Sequence, residues 1–431
     1  STLSQGLNFQ PGVRVETNCQ NCGFQQVRIN GLDGPYTQIL IDSRPVFSAL
    51  SGVYGLEQIP ASMIERVEVM RGGGSALFGS SAIAGTINII TKEPLRNSGQ
   101  LSHTITSLGG SSSFDNNTSL NASLVTDDHR AGLYIFGQNR YRSGYDYDGD
   151  GFTELPKLKN QTVGFRSYLK TSTYSKLTFE YHHMQEFRRG GDMLNRPPHE
   201  AHIAEQLQHS IDGGSLKFDY FSPDEKNRLS VFASAANTDR DSYYGPGNDP
   251  LKAYGKTTDL TAMGGAQYVH TFDKCFFMPS DLTAGLEFNR DRLKDNMWGY
   301  NRHTDQTVNI YSAFLQNEWK NDRWGILIGG RLDKHNMVDN VIFSPRANLR
   351  FNPTQNINLR LSYSSGFRAP QAFDEDMHIE NVGGTVAMIE RAKDLKEEKS
   401  QSFSVSADMY HRFGAFKTDR CFCIGQTLRP W

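Results

Sequence analysis

The stretch RVEVMRGGGSALFGSSAIAGTINIITK, residues 66–92, decides how the rest of the chain is read. It sets a glycine run between two segments of strand character. Val67 and Val69 alternate with Arg66 and Glu68, and residues 86–91 are rich in the β-branched side chains that strands favour. Such a run either cradles a phosphate or lets backbones approach closely. A P-loop needs a lysine directly after its last glycine, and here Ser80 follows Gly79. A dinucleotide fingerprint needs a third glycine where this chain has Leu77. Both phosphate readings fail on the residue that would do the chemistry. What remains is size: from Gly72 to Gly85 every residue except Leu77, Phe78 and Ile83 is Gly, Ser or Ala. The run reads as a tight packing unit in a small α+β element.

Around it, 431 residues are more than one ordinary soluble domain needs. A net charge of -2 shows no basic surplus for nucleic acid. No apolar run reaches the roughly 18 residues of a membrane-spanning helix. A membrane β-barrel stays open, because its alternating strands keep mean hydropathy low. The opening STLSQGLNFQ has neither initiator Met nor signal peptide, so the chain reads as mature or as a fragment. Cys19 and Cys22 form one C-x-x-C pair with no second pair to complete a zinc site. The reading preferred for them is a local disulfide formed in an oxidising compartment. Cys275, Cys421 and Cys423 have no evident role.

The texture changes after Pro94. Residues 1–97 read as a compact mixed domain and residues 98–431 as a long series of alternating strands. Val341, Phe343, Pro345, Ala347, Leu349 and Phe351 alternate with Ser344, Arg346, Asn348 and Arg350. Leu177, Phe179 and Tyr181 alternate with Lys176, Thr178, Glu180 and His182. This is period two, with one apolar and one polar face. Short connectors (126–129, 171–175, 222–227, 321–322, 352–356) take turns with long polar ones (145–159, 188–206, 243–255, and from FRAP to about 399). A meander then carries its short turns on one side and its long loops on the other, as outer-membrane barrels do. A soluble sandwich has Greek-key crossovers instead. Aromatics at strand ends (Phe187, Tyr220, Phe221, Tyr243, Tyr244, Trp319, Trp324 and Phe367) fit an interfacial girdle. About fourteen strands fit between Gly99 and Arg412, against roughly 22 in a wide plugged barrel. The tail KTDRCFCIGQTLRPW has no period two, which suggests a chain cut short by roughly eight strands.

With these residues in view, a resemblance becomes specific. QVRINGLDGPYTQILIDSRPV and IPASMIERVEVMRGGGSALFGSSAIAGTINIITK resemble the plug domain of TonB-dependent outer-membrane receptors, and SSGFRAP and DLKEEKSQSFSVSAD resemble their barrel. The wording is closest to the vitamin B12 and haem-uptake type of Bacteroidota. The resemblance implies an antiparallel transmembrane β-barrel with an N-terminal plug in its lumen. It further implies active import of a scarce large nutrient, with cobalamin ahead of haem and ferric siderophore, and no enzymatic activity. The implied partners are an inner-membrane TonB complex, outer-membrane lipid and a surface lipoprotein. It also implies that Glu65, Arg66, Glu68 and Arg71 face barrel-wall carboxylates and hold the plug by buried ion pairs. Such pairs fix geometry more than they add stability.

For substrate, the loop PVFSALSGVYGLEQ (45–58) belongs at a plug apex, where Phe47, Ser51 and Tyr54 are the expected contacts. His378, in the loop after FRAP, is the haem-type candidate, although residues 1–98 offer no second histidine. In DYDGDGFTE, Asp146, Asp148 and Asp150 alternate before Gly151, and Glu154 follows. That matches the start of a calcium loop, but Lys157 stands where the closing glutamate belongs. The expectation is an external calcium site rather than an EF-hand, with no cofactor required. The vitamin B12 receptor has acidic loops of this kind, which DGDGF resembles. Two other classes remain as alternatives. A passive porin has no need of a plug. A soluble all-β carbohydrate-binding protein or hydrolase would want a carboxylate pair that the spacing does not single out.

Overall fold

The computed structural model describes residues 3–19, 23–43, 60–72, 74, 79, 82–245, 253–373, 377–382, 385–392, 394–413 and 416–424. The N-terminal domain opens on α1 (Leu3–Leu7), followed by the antiparallel hairpin β1 (Val13–Cys19) and β2 (Phe24–Ile29). A three-stranded sheet follows, from β3 (Thr37–Ile41), β4 (Ile64–Arg71) and β5 (Gly85–Thr91). β5 is its centre, parallel to β3 and antiparallel to β4. That position explains its composition. Ile87 and Ile89 enter the plug core with Ile39, Ile41, Val27 and Ile29, and wall residues Tyr134 and Phe136 complete the same cluster. Burying each such isoleucine contributes about 1.5–3 kcal/mol.

β6 (Ser98–Ser107) begins a single large antiparallel sheet. It continues through β7 (Phe114–Val125), β8 (Ala131–Arg142), β9 (Lys157–Ser172), β10 (Ser175–Gly191) and β11 (Ala204–Phe221). Next come β12 (Asn227–Gly245), β13 (Tyr254–Cys275), β14 (Met278–Met297), β15 (Arg302–Lys320) and β16 (Trp324–His335). β17 (Ile342–Thr354) and β18 (Ile357–Arg368) lead to a long connection holding the small hairpin β19 (Ile379–Val382) and β20 (Thr385–Met388). β21 (Glu398–Phe413) and β22 (Phe416–Ile424) complete it. Each strand pairs with its sequence neighbour, except that β18 pairs with β21 across the β19–β20 hairpin. The sheet has 15 strands, with β6 and β22 at its edges.

The period-two pattern now has two meanings. Leu216, Leu286, Ile328, Leu361 and Val405 are exposed on the outer face, where a barrel meets lipid. Arg188, Arg240, Asp259, Asp295 and Asp333 are buried on the inner face. Short turns fall at 126–130, 173–174, 222–226, 276–277, 321–323 and 355–356, and the longest connections, 143–156, 192–203 and 369–397, all lie at the opposite end.

Two expectations change. The tail carries a strand, β22, which pairs antiparallel with β21 from Val405↔Ile424 to Phe413↔Phe416. An open sheet edge recruits any extended segment through its free backbone groups, so pairing there does not require alternation. Tyr243, Tyr244 and Phe367 do not belong to a girdle, because all three are buried. They sit at the loop end of their strands, where the long connections cover them.

Candidate functional site: the plug seat and the loop floor

The plug is stitched to the wall through buried cations: Arg188 of β10 donates to the Gly23 carbonyl at 3.2 Å, and Arg166 of β9 gathers the ion pairs. Asp42, just after β3, accepts from the Thr91 backbone N–H at 3.0 Å and from the Thr91 hydroxyl at 2.6 Å, which ties β3 to the end of β5. Arg166 of β9 donates from Nη1 to the same carboxylate at 2.6 Å and also contacts Thr91 Oγ1. Its guanidinium lies 2.7 Å from Glu180 of β10 and 3.4 Å from Glu93 of the plug. Lys176 reaches Glu93 at 3.0 Å. The Arg166 side chain is only 14% exposed, so water screens these attractions weakly. Nearby, the Tyr134 hydroxyl donates to the Ser62 carbonyl at 2.5 Å.

The opposite side of the plug is seated by small residues. Gly72 has φ +83° and faces Ser402 of β21, whose hydroxyl would lie 2.7 Å from an added Cβ. Gly366 of β18 faces the Ala82 carbonyl, 3.0 Å from where its own Cβ would stand. The glycine-rich run therefore brings plug backbone against wall backbone, as its composition suggests.

The described residues of the long connection 369–397 fold inward as a strap. Gln306 of β15 grips it reciprocally: its amide accepts from Ala372 N–H at 2.8 Å and donates to the Ala372 carbonyl at 3.4 Å. Arg391 donates to Gln306 at 3.1 Å and to the Pro370 carbonyl at 3.2 Å. His335 lies 3.2 Å from Gln371. Arg302 donates to the Met377 carbonyl at 2.6 Å and to Asp295 at 3.1 Å. Around this strap lies an aromatic floor. Tyr243 and Tyr254 meet edge-on at 4.8 Å, His199 Nδ1 is 2.9 Å from the Tyr254 hydroxyl, and Tyr300 donates to the Tyr244 carbonyl.

His378 belongs to this floor. Its ring meets Tyr244 edge-on at 5.1 Å, and Nε2 is 3.8 Å from Glu205. Phe47, Ser51 and Tyr54 lie outside the described residues, as does Cys22. Among the described residues, no ion pair or hydrogen bond joins the four plug charges to the wall. Arg66 pairs with Glu68 of its own strand at 2.8 Å, with the two side chains 60% and 50% exposed. Glu68 also accepts from Asn88, Arg71 donates to the Pro11 carbonyl, and Glu65 is exposed. β4 is an edge of the plug sheet, and its partners are found within the plug. The wall contact passes instead to Asp42, Glu93 and Arg166. No local pattern pairs Asp42 with a residue 124 positions later.

The acidic loop does converge. Ligand oxygens of Asp146, Asp148, Asp150 and Glu154 all lie within 4.8 Å of one another. Asp146 accepts from Gly149 N–H at 2.7 Å and Gly151 N–H at 2.9 Å, and the bridge Tyr145↔Leu155 closes the loop base. An all-oxygen, all-anionic set suits a hard cation such as calcium.

Comparison with known proteins agrees with this architecture. A family model described as TonB dependent receptor-like, beta-barrel, matches residues 85–420, and the TonB-dependent Receptor Plug Domain matches residues 1–86. The ferric enterobactin receptor of Pseudomonas aeruginosa is 36% identical over 104 residues, covering 21% of this chain and 14% of that protein. The vitamin B12 transporter BtuB of Vibrio vulnificus is 23% identical over 390 residues, covering 86% of this chain and 58% of that protein. The crystal structure of the siderophore receptor PirA from Acinetobacter baumannii superposes with a TM-score of 0.79 at 19% identity, covering 95% of this chain and 66% of that one. The unliganded ferric citrate transporter FecA gives 0.74 at 14% identity, over 95% and 65%. At such identities the likeness speaks to the fold. The chain thus spans 58% of the vitamin B12 transporter and about two thirds of the solved receptors.

Proposed function

The chain belongs to the TonB-dependent receptors of the outer membrane, and on that premise we propose that its complete form actively imports a large, scarce nutrient, cobalamin first. The observation that carries the import reading is the seated plug. A passive pore has no use for a folded domain sharing its core with the wall at Tyr134 and Phe136 and tied to it through Arg166. A seat built of a few ion pairs and small-residue contacts can be released by force and can re-form. An inner-membrane TonB complex would supply that force. Substrate would rest on the plug apices and on the floor formed by Tyr244, Tyr254, Tyr300 and His378.

The acidic loop supports cobalamin. Asp146, Asp148, Asp150 and Glu154 would hold a calcium ion and so brace the external loop, an arrangement in keeping with the resemblance of DGDGF to a loop of the vitamin B12 receptor. A ferric siderophore is the second reading, favoured by the likeness to ferric enterobactin and siderophore receptors. Titration of the full-length receptor with cyanocobalamin, ferric enterobactin and haemin, with and without calcium, separates them. Calcium-dependent cyanocobalamin binding supports the first reading. Tight binding of the ferric chelate alone replaces it with the second, and binding of none removes both.

A further inference from the structure

Strap and plug meet on one side chain. Arg368 is the last residue of β18, and its register partner on β21 is Glu398, the first residue of that strand. Its guanidinium carbon lies 4.1 Å from the centroid of the Phe373 ring, which belongs to the strap. It also lies 5.7 Å from the centroid of Tyr36, which belongs to the plug. Arg368 Nη1 is 3.8 Å from Glu398 Oε1, and that same carboxylate acts electrostatically on the Tyr36 hydroxyl.

The manner of holding matters. The side chain is 16% exposed, yet its buried Nε has no hydrogen bond among the described residues. Arg368 is therefore positioned by two ring faces and one long ion pair, not by a bidentate fork. Each ring face attracts the guanidinium, so losing either lets it shift. The strap's grips at Gln306, His335 and Arg302 reach wall residues, and the plug's seat at Arg166 also reaches wall residues. Those contacts hold each part to the wall without joining the two.

We infer that Arg368 is a positioning residue that couples the strap to the plug: displacement of Phe373 by a ligand on the floor loosens Tyr36, and movement of the plug loosens Phe373. Coupling of this kind is reciprocal by thermodynamic necessity. The inference takes its purpose from the import reading, but its test needs no substrate.

The test is hydrogen–deuterium exchange on the full-length receptor in detergent. Arg368→Lys, which keeps the charge and loses the planar face, should raise exchange about fivefold or more in both 33–37 and 370–373. Phe373→Leu, a change in the strap, should raise exchange in 33–37. Tyr36→Leu, a change in the plug, should raise exchange in 370–373. The Arg166 seat, read at 89–93, should stay at the wild-type rate in all three. If each substitution loosens only its own side, Arg368 merely anchors the strap and the inference fails. It fails equally if the Arg166 seat loosens with the rest, since the effect is then general destabilisation.

Discussion

Arg166 Nη1 stands 2.6 Å from Asp42 Oδ2, and the two residues belong to different domains. Asp42 closes the plug sheet through Thr91, and Arg166 points inward from the fourth strand of the barrel wall. Replacing Arg166 by methionine keeps most of the volume and leaves Asp42 and Glu180 facing each other without a cation. Breaking a buried pair on one side costs about 3–5 kcal/mol. The low end applies here, because Asp42 and Glu180 keep 20% and 22% exposure. Hydrogen exchange in 89–93 of the full-length receptor should accelerate accordingly. Arg166→Met with Asp42→Asn should cost clearly less than the sum of the two single changes. Strict additivity would show that the pair is not coupled.

Burial, reinforced by Glu398, pushes the Tyr36 hydroxyl pKa above its ordinary value. A raised pKa means that the folded receptor favours the neutral phenol. The stabilisation is therefore complete below the unfolded tyrosine pKa of about 10 and is lost as pH rises through the higher folded value. Protection in 33–37, the exchange rate taken relative to the base-catalysed intrinsic rate, should stay constant up to about pH 10 and then fall. Tyr36→Phe should remove that fall in protection. A fall that survives in the variant would assign it to another group.

Gly72 and Gly85 differ in what an added methyl meets. At Gly72, with φ +83°, the strain of a left-handed alanine is about 1–2 kcal/mol, and the Ser402 hydroxyl can rotate away. At Gly85 the obstacle is the Met70 carbonyl, 2.2 Å from the added Cβ, and backbone cannot rotate away. Gly85→Ala should cost about 3 kcal/mol or more and part β4 from β5, well beyond Gly72→Ala. Amide protection along β5 reports the order, and equal losses would remove the distinction.

Calcium titrated into the full-length receptor should bind at the loop 146–154. Asp148→Asn and Asp150→Asn each remove one anionic ligand and should weaken binding at least about tenfold. Asp146→Asn should also loosen the loop without calcium, since Asp146 accepts from two backbone N–H groups. Calorimetry measures the first effect and proteolysis of the loop the second. A wild-type receptor that gives no heat with calcium rules the site out.

Gln306→Ala removes both halves of the reciprocal bond to Ala372 and the acceptor for Arg391. A buried bond left unmade costs about 1–3 kcal/mol. Exchange in 370–373 should rise by that measure, with β15 protection unchanged. An unaltered strap would mean that His335 and Arg302 suffice to hold it.

The sequence by itself determined the class of the protein and its two parts. Period-two alternation is local, because successive side chains point to opposite faces wherever a strand forms. Loop asymmetry and the small-residue run are local too, and they pointed to a meander and to a domain packed tightly inside it. The convergence of Asp146, Asp148, Asp150 and Glu154 was legible for the same reason: one short loop supplies all four. Only the tertiary structure decided which charges join plug to wall. Arg66 and Arg71 sit in the motif that draws the eye, yet their partners are within the plug. Asp42 and Arg166 are 124 residues apart, and Arg368 gathers Tyr36, Phe373 and Glu398 from three separate segments. Such pairings depend on the register of many strands and on how the plug is turned within them. Their physical content lies in distance and burial, which no local pattern of residues encodes.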